Sequence, residues 1–174
     1  MIISHQYTPL FLAATAGNAT LLNTLFNYGA NLDSQGNQRH SPLNQAVQKK
    51  RSDCLEILLT RSAKPTNDGL LSPLMQAIVS GLDMAVELLI EKGADINYAN
   101  SCGKTALYQA IKKNNEKLVA ELLDKGANVH YRDNFGTTAI HTAASTGNLN
   151  IIKAIIDHGA EKNALNNKGQ NAVF

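Results

Sequence analysis

Three residues of the types that form a hydrolytic triad lie close together in the sequence: Asp133, His141 and Ser145. His141 precedes Ser145 by one helical turn, which would place the imidazole beside the hydroxyl. Nothing in the neighbouring sequence supplies the backbone donors of an oxyanion hole or the walls of a pocket, so catalysis is not favoured. Glu87 and Glu91, four residues apart on a predicted helix, are interpreted as a solvated face rather than an acid–base pair.

Metal and cofactor sites are not indicated either. Cys54 and Cys102 stand far apart, which excludes a disulfide scaffold and a four-cysteine zinc site. Cys54 is predicted to be a small core residue, and Cys102 an exposed thiol that no neighbouring charge activates. Four histidines lack metal-ligand spacing with one another or with a cysteine: His5, His40, His130 and His158. No glycine-rich phosphate loop is present, and we expect neither an enzyme nor a cofactor.

The composition sets the remaining bounds. The chain has 174 residues, with 44% hydrophobic and 17% charged side chains and a formal net charge of +2. This predicts a folded chain and is too balanced to indicate a nucleic-acid or membrane-surface partner. No apolar run reaches the roughly 18 residues of a membrane span, and the first ten residues lack the pattern of a secretory signal. We therefore expect a soluble domain in the cytoplasm.

The sequence repeats itself at a nearly constant interval. Each unit opens on Thr or Ser followed by Pro-Leu or a similar pair, at Thr8, Ser41, Ser72, Thr105 and Thr138, with a stub at Asn171. The intervals are 33, 31, 33, 33 and 33 residues. A Gly-Ala or Ser-Ala pair runs in phase with this marker, and both series place a two-residue deletion between Ala63 and Ser72. Periodicity of this kind indicates a repeat protein.

Each unit predicts two short helices. Thr or Ser supplies the N-terminal cap, Pro occupies the first helical position, and Gly17, Gly81 and Gly147 end the first helix. A second apolar-periodic run follows, and Gly93 or its equivalent ends it before a polar stretch with turn residues. Helices of about 8–11 residues are too short to be stable alone, so the units must stack to bury their apolar faces.

This pattern resembles the ankyrin repeat. The residues that carry the resemblance include Thr8-Pro9-Leu10-Phe11-Leu12-Ala13-Ala14 and Thr138-Ala139-Ile140-His141-Thr142-Ala143-Ala144, and the resemblance covers residues 8–170. It implies an all-α repeat fold, an α-solenoid of helix-turn-helix units with β-hairpin fingers. We expect a single domain over 1–174, with repeats at about 4–36, 37–67, 68–99, 100–132 and 133–165 and a partial sixth at 166–174. It also implies that His141 occupies a structural position, where its ring bonds to the capping residues of its own repeat.

Departures from the family pattern mark places where the structure should differ. Lys50 stands where glycine usually ends the first helix, so it must adopt a left-handed conformation under strain or end the helix differently. Asn114 at the same position is a milder change, and Ser62 replaces a loop glycine. The deletion shortens the finger around residues 64–71, where we expect a notch or a change of curvature.

The resemblance implies non-catalytic protein–protein recognition through the finger tips and the concave face of the first helices. Reading those positions gives the predicted partner-binding residues: Tyr7, Asn37, Gln38, His40, Lys49, Leu71, Cys102, Lys104, Lys112, Arg132, Asn134, Phe135 and Lys168. Phe135 and Leu71 have two interpretations, since each can anchor a partner or pack against its own chain. The lysines suggest a mildly basic face, although solvated helix ends are the more frequent explanation.

Two alternative functions stay open. Ile151, Ile152, Ile155 and Ile156 lie on the last predicted helix, and only Val173 and Phe174 remain to cap it, so an uncapped end could form a weak homodimer or dock another domain. A bacterial or parasite effector that engages a host protein, delivered into the host cell, is the other alternative. The sequence does not identify the protein partner.

Overall fold

Ten α-helices make up the described part of a computed structural model, which covers residues 7–31, 41–61 and 71–172. In chain order they are α1 (Pro9–Ala16), α2 (Ala19–Asn27), α3 (Pro42–Gln48), α4 (Ser52–Thr60), α5 (Pro73–Ser80), α6 (Asp83–Glu91), α7 (Ala106–Lys112), α8 (Glu116–Asp124), α9 (Ala139–Thr146) and α10 (Leu149–Asp157). Two compact units divide them: Met1–Asp95 holds α1–α6, and Ile96–Phe174 holds α7–α10. No helix in the described ranges is long and apolar enough to cross a membrane.

The first helix of each repeat begins as the sequence predicts. The side-chain oxygens of Thr8, Ser41 and Ser72 each accept the backbone N–H three residues on, at 3.2 Å. Proline follows each of these three caps at the first helical position, where its missing N–H costs no hydrogen bond. Thr105 caps α7 in the same way at 3.3 Å, without a proline. The cap, together with proline in three of the repeats, fixes where these helices start.

Glycine ends three of the first helices in the left-handed conformation, with φ of 76° at Gly17, 68° at Gly81 and 70° at Gly147. Lys50 and Asn114 adopt the same conformation at the equivalent positions, with φ of 56° and 55°. Of the two alternatives for Lys50, the structure therefore has the strained one. A non-glycine residue in this region costs roughly 1–2 kcal/mol relative to its preferred conformation.

Stacked helices form the core of each unit. In the first helices Leu10, Leu43 and Leu74 are each 1% exposed, and in the second helices Leu58 and Leu89 are fully buried. The second unit repeats this arrangement, with Leu107, Leu122, Ile140, Ile151 and Ile155 buried. Because none of the described helices exceeds nine residues, this burial rather than intrinsic helix propensity stabilises the elements. Cys54 belongs to the core and Glu87 and Glu91 are exposed, which confirms three sequence predictions.

The fingers of the second unit are tight turns built around one acceptor side chain each. Asn100 accepts the N–H of Cys102 and of Lys104, both at 3.0 Å. Asp133 does the same for Phe135 and Thr137, and Asn166 for Lys168 and Gln170, at 2.8–3.0 Å. The fold class is confirmed as an all-α repeat, but these fingers lack the strands of the predicted β-hairpins. The two arms of each finger share one backbone bond of this kind, from Asn100 to Lys104, Asp133 to Thr137 or Asn166 to Gln170, at 2.8–3.0 Å, and a single bond of this kind is shorter than a strand ladder.

Of the shortened finger at residues 64–71, residues 64–70 lie outside the described residues, and its predicted notch stays a prediction. The same applies to Val173 and Phe174 as a C-terminal cap. Ala172, the last described residue, is 7% exposed.

Candidate functional site

A groove of about 340 Å³ lies on the first-helix and finger side of the second unit. Three of the predicted partner-binding residues line it: Lys104, Lys112 and Phe135. Lys104 precedes the Thr105 cap of α7, and Lys112 is the last residue of the helix, one turn or about 6 Å beyond Tyr108. The repeat therefore presents two cations on one wall of the groove and an aromatic ring at a finger.

Lys104 is held over an aromatic ring. Its ammonium nitrogen lies 4.8 Å from the centroid of the Tyr108 ring, within the range of a cation–π interaction. In the described part of the chain neither Lys104 nor Lys112 forms an ion pair. Asp133 is the acidic residue on the groove wall, and its Oδ1 already accepts two backbone N–H groups of its own turn. The electrostatic character of the groove is therefore basic.

Phe135 stands at the finger tip with 70% of its surface exposed. Its N–H donates to Asp133 and its carbonyl oxygen accepts the N–H of Asn167 at 3.0 Å, so the backbone beneath the ring is held on both sides. The ring itself does not pack into the fold. The structure thus has an exposed Phe135 rather than one packed against a neighbouring finger, and its role as a partner anchor stays a prediction.

Two of the predicted residues make structural contacts across one repeat. The guanidinium of Arg132 donates to the carbonyl oxygen of Leu165, and the side-chain amide of Asn134 donates to Ser101 at 2.9 Å. Their partners lie 33 residues away, so both side chains hold one finger to the next. Lys168 and Cys102 are exposed at the other finger tips.

The remaining predicted residues lie in the first unit or outside the described residues. Tyr7 is 39% exposed and stacks on Phe11 with ring centroids 4.8 Å apart, while Lys49 is exposed and Leu71 is half-buried. Three belong to residues that the structure does not describe: Asn37, Gln38 and His40. The structure therefore brings together Lys104, Lys112 and Phe135 from the predicted set.

Sequence reasoning missed the far wall of the groove, which Asn166, Gln170 and Asn171 supply from the partial sixth repeat. The 33-residue spacing of Asn100, Asp133 and Asn166 indicates that this stub forms a complete finger. That spacing could have identified the wall from the sequence.

His141 has the structural role that the resemblance implied. Its Nδ1 lies 2.9 Å from the Thr138 hydroxyl, and its Nε2 lies 3.0 Å from the carbonyl oxygen of Gln170. Both ring nitrogens are thus engaged away from Ser145, whose hydroxyl donates to Thr142 at 2.7 Å. The described residues contain no cluster of three or more His, Cys, Asp or Glu side chains that could hold a metal ion.

The two cysteines differ in accessibility. Burial raises the pKa of the Cys54 thiol, the neighbouring Asp53 raises it further, and Arg51 opposes the shift. Cys54 is therefore a protonated core thiol, whereas Cys102 is exposed on a finger. A buried, protonated thiol such as that of Cys54 is not an activated nucleophile.

Comparisons with known proteins agree with the repeat architecture. A family model described as ankyrin repeats in three copies matches residues 3–69 and 63–133, and a model of ankyrin repeats in many copies matches residues 122–173. The chain is similar to ankyrin repeat and SOCS box protein 11 of Danio rerio, at 36% identity over 58% of this chain and 34% of that protein. It is also similar to glycerophosphocholine phosphodiesterase gde1 of Schizosaccharomyces pombe, at 31% identity over 57% of this chain and 9% of that protein. The matches thus span about a third and about a tenth of these relatives.

Proposed function

Because the chain belongs to the ankyrin repeat family, whose members generally mediate protein–protein interaction, we propose that it is a non-catalytic module that binds a protein partner in the groove of its second unit. The observation that supports this proposal is the meeting of Lys104, Lys112 and the exposed Phe135 on one groove. The likeness to the phosphodiesterase gde1 covers 9% of that protein, and we propose no phosphodiesterase activity.

The chemistry of the groove favours an acidic, extended segment as the ligand. The ammonium group of Lys104 lies over Tyr108, one helical turn of about 6 Å before Lys112, and an extended chain spans that distance in about two residues at 3.3 Å each. Two carboxylates at that spacing would each meet an ammonium group, and an apolar side chain beside them would cover the exposed ring of Phe135. A few well-packed anchors, aromatic side chains prominent among them, contribute most of the binding energy in protein interfaces.

A selection from a display library of random 16-residue peptides tests this proposal. Peptides selected on the protein should be rich in Asp and Glu, and their affinity should fall at least tenfold on Lys112→Glu or Phe135→Ala. Two variants serve as controls that should bind normally: Lys153→Glu, an exposed lysine on α10, and Tyr28→Ala, a ring that is 89% exposed in the first unit. Selected peptides that bind both groove variants as tightly as the wild type would show that the groove is not the binding face.

Self-association through α10 is a second candidate. Leu149 is 68% exposed and Ile152 and Ile156 are half-buried, so this helix carries apolar surface that its own repeat does not cover. Light scattering coupled to size exclusion over a hundredfold range of concentration should then show a dimer that dissociates on dilution and that Leu149→Glu abolishes. A constant mass of 18.7 kDa would exclude this candidate.

A further inference from the structure

A second and larger groove, of about 670 Å³, lies in the first unit between α4 and α6. The second helices of the second and third repeats form its two sides. Leu55, Leu82, Ala85 and Leu88 provide an apolar lining, and Met84 stands at the rim with 81% of its surface exposed. None of these residues belongs to the predicted partner-binding set, so the groove is independent of the proposed function.

One position, the bridging position, bonds back to the preceding repeat in the second and fifth repeats. This bridging position directly follows the left-handed residue that ends the first helix. Arg51 occupies it in the second repeat, where its Nε donates to the carbonyl oxygen of Thr15 at 3.3 Å in the preceding repeat. Asn148 occupies it in the fifth repeat and donates to Asn114 at 2.7 Å and to Glu116 at 2.8 Å.

Leu82 occupies the bridging position in the third repeat and has no polar atom with which to reach back. Other pairs of neighbouring second helices have polar contacts across the line where they meet, which we call the seam. Between α2 and α4 the guanidinium of Arg61 lies 5.6 Å from the centre of the Phe26 ring. Across the seam between α8 and α10 Asn150 adds a further bond to Glu116 at 3.1 Å. No hydrogen bond or ion pair among the described residues crosses between α4 and α6, so this seam keeps an accessible apolar floor.

The side chains that line the groove carry a net negative charge. Glu56, Asp83, Glu87 and Glu91 line it, against Lys50 and Arg51 at the end where α4 and α6 begin. Four acidic side chains against two basic ones leave a net charge of −2. The guanidinium of Arg51 is already hydrogen-bonded to Thr15 of the preceding repeat. None of the four carboxylates forms an ion pair within the described ranges. A cationic ligand therefore complements this surface.

We propose that the groove between α4 and α6 binds an amphipathic, basic α-helix of a partner protein. Each side is a nine-residue helix, about 13 Å long, and a third helix laid between them would pack as helices do in a bundle. Its apolar stripe, at positions i, i+3, i+4 and i+7, would cover Leu55, Leu82 and Leu88. Its Lys and Arg side chains would meet Glu56, Glu87 and Glu91.

The charge distribution also sets the direction of the bound helix. Lys50 and Arg51 lie at the start of α4 and outnumber Asp83 at the start of α6, whereas Glu91 lies at the end of α6. A helix carries partial negative charge at its C-terminus. The bound helix should therefore run antiparallel to α4 and α6, with its C-terminus near Lys50 and its basic side chains concentrated towards Glu91.

A 15-residue model peptide of Leu and Lys, with Leu on one helical face and a fluorescent label, tests the proposal at 0.15 M salt. Fluorescence anisotropy should show binding to the wild-type chain, and amide shifts in a ¹⁵N-labelled sample should be confined to α4 and α6. The charge reversal Glu87→Lys with Glu91→Lys should weaken binding at least tenfold. Leu82→Asn, which introduces the residue that the fifth repeat has at the bridging position, should weaken it comparably without loss of the fold.

Matched controls separate a specific groove from general charge attraction. Asp124 and Asp157 occupy the positions in α8 and α10 that correspond to Glu91, and reversing both makes the same change in net charge. That variant should bind the peptide within twofold of the wild type. The proposal would be overturned if both charge variants weakened binding equally, or if the wild-type chain did not bind the peptide. It would also be overturned if a scrambled Leu/Lys peptide or a Leu/Glu helix bound equally well, or if amide shifts appeared outside α4 and α6.

The groove could instead bind a second copy of this chain. In that case the wild-type chain would form a dimer, and reversing Glu87→Lys and Glu91→Lys would dissociate it. The peptide test leaves Lys112 and Phe135 intact, so its outcome is distinct from that of the proposed function.

Discussion

Alanine in place of Gly103 or Gly136 should destabilise the second unit far more than alanine in place of Gly126 or Gly169. All four glycines have φ between 72° and 86°, so each alanine incurs the same left-handed strain. That strain is about 1–2 kcal/mol, and the lower entropy of the unfolded alanine chain offsets part of it, which leaves roughly 1 kcal/mol.

Only Gly103 and Gly136 are in close contact with the next finger. A Cβ at Gly103 would lie 2.7 Å from the Cα of Asp133, and one at Gly136 would lie 2.7 Å from the backbone nitrogen of Asn167. Both neighbours are backbone atoms and cannot rotate away. Gly126 and Gly169 have no atom within 4 Å of the added methyl group.

The fingers must separate to admit the methyl group, and this movement would break the bonds that join them. For Gly103→Ala these are the bonds from Asn134 to Cys102 at 3.3 Å and to Ser101 at 2.9 Å. Two hydrogen bonds at about 0.5–1.5 kcal/mol each add 1–3 kcal/mol to the strain. We therefore expect a loss of about 2–4 kcal/mol for Gly103→Ala and Gly136→Ala, against about 1 kcal/mol for the two control variants.

Urea unfolding followed by circular dichroism at 222 nm measures this difference, provided that the dependence on urea concentration is the same for all four variants. In thermal unfolding, a loss of 1 kcal/mol corresponds to about 2–4 °C for a chain of this length. Equal destabilisation of all four variants would show that left-handed strain alone decides the effect and that the contact between fingers contributes nothing.

Two further predictions concern single side chains. Lys50→Gly should stabilise the chain by about 0.5–1 kcal/mol because glycine relieves the left-handed strain at φ 56°. Its neighbour Lys49, at φ −89°, is the control, and Lys49→Gly should destabilise the chain by a similar amount in the same urea assay. If both substitutions stabilised the chain, or neither did, the assignment of strain to Lys50 would be wrong. His141→Ala should cost about 2–4 kcal/mol, because it leaves a cavity and deprives Thr138 and the Gln170 carbonyl of their partner. His158→Ala, at a ring that is 38% exposed and 3.7 Å from Asp124, should change stability by less than about 1 kcal/mol, and equal losses for the two histidines would refute a structural role specific to His141.

The elements themselves were predictable from the sequence because their causes are local. A capping hydroxyl and its acceptor bond lie three residues apart, as for Ser72 and Met75, and a glycine that ends a helix acts on the preceding turn. The burial of Cys54 follows from its register within α4. Each of these features depends on residues within one helix and its caps.

The site was less predictable because its contacts span one repeat. Arg132 and Asn134 looked like partner-binding residues, yet each bonds to a carbonyl oxygen 33 residues away. Periodicity predicts that fingers stack, but it does not tell whether a polar side chain faces solvent or the adjacent finger. The groove between α4 and α6 was missed for the same reason, because the effect of Leu82 is visible only beside the bridges that Arg51 and Asn148 form.

The finger tips show how a repeated scaffold can leave a position free for recognition. The residue that accepts the turn bonds is Asn100, Asp133 or Asn166, and the glycine three positions later is Gly103, Gly136 or Gly169, so the frame repeats at 33 residues. The tip between them differs in every finger: Cys102, Phe135 and Lys168. All three tip side chains are exposed, and each turn is closed by the backbone of the tip residue rather than by its side chain. Because these side chains take no part in closing their turns, we expect that substitutions at the tips change the surface of the protein without changing its fold.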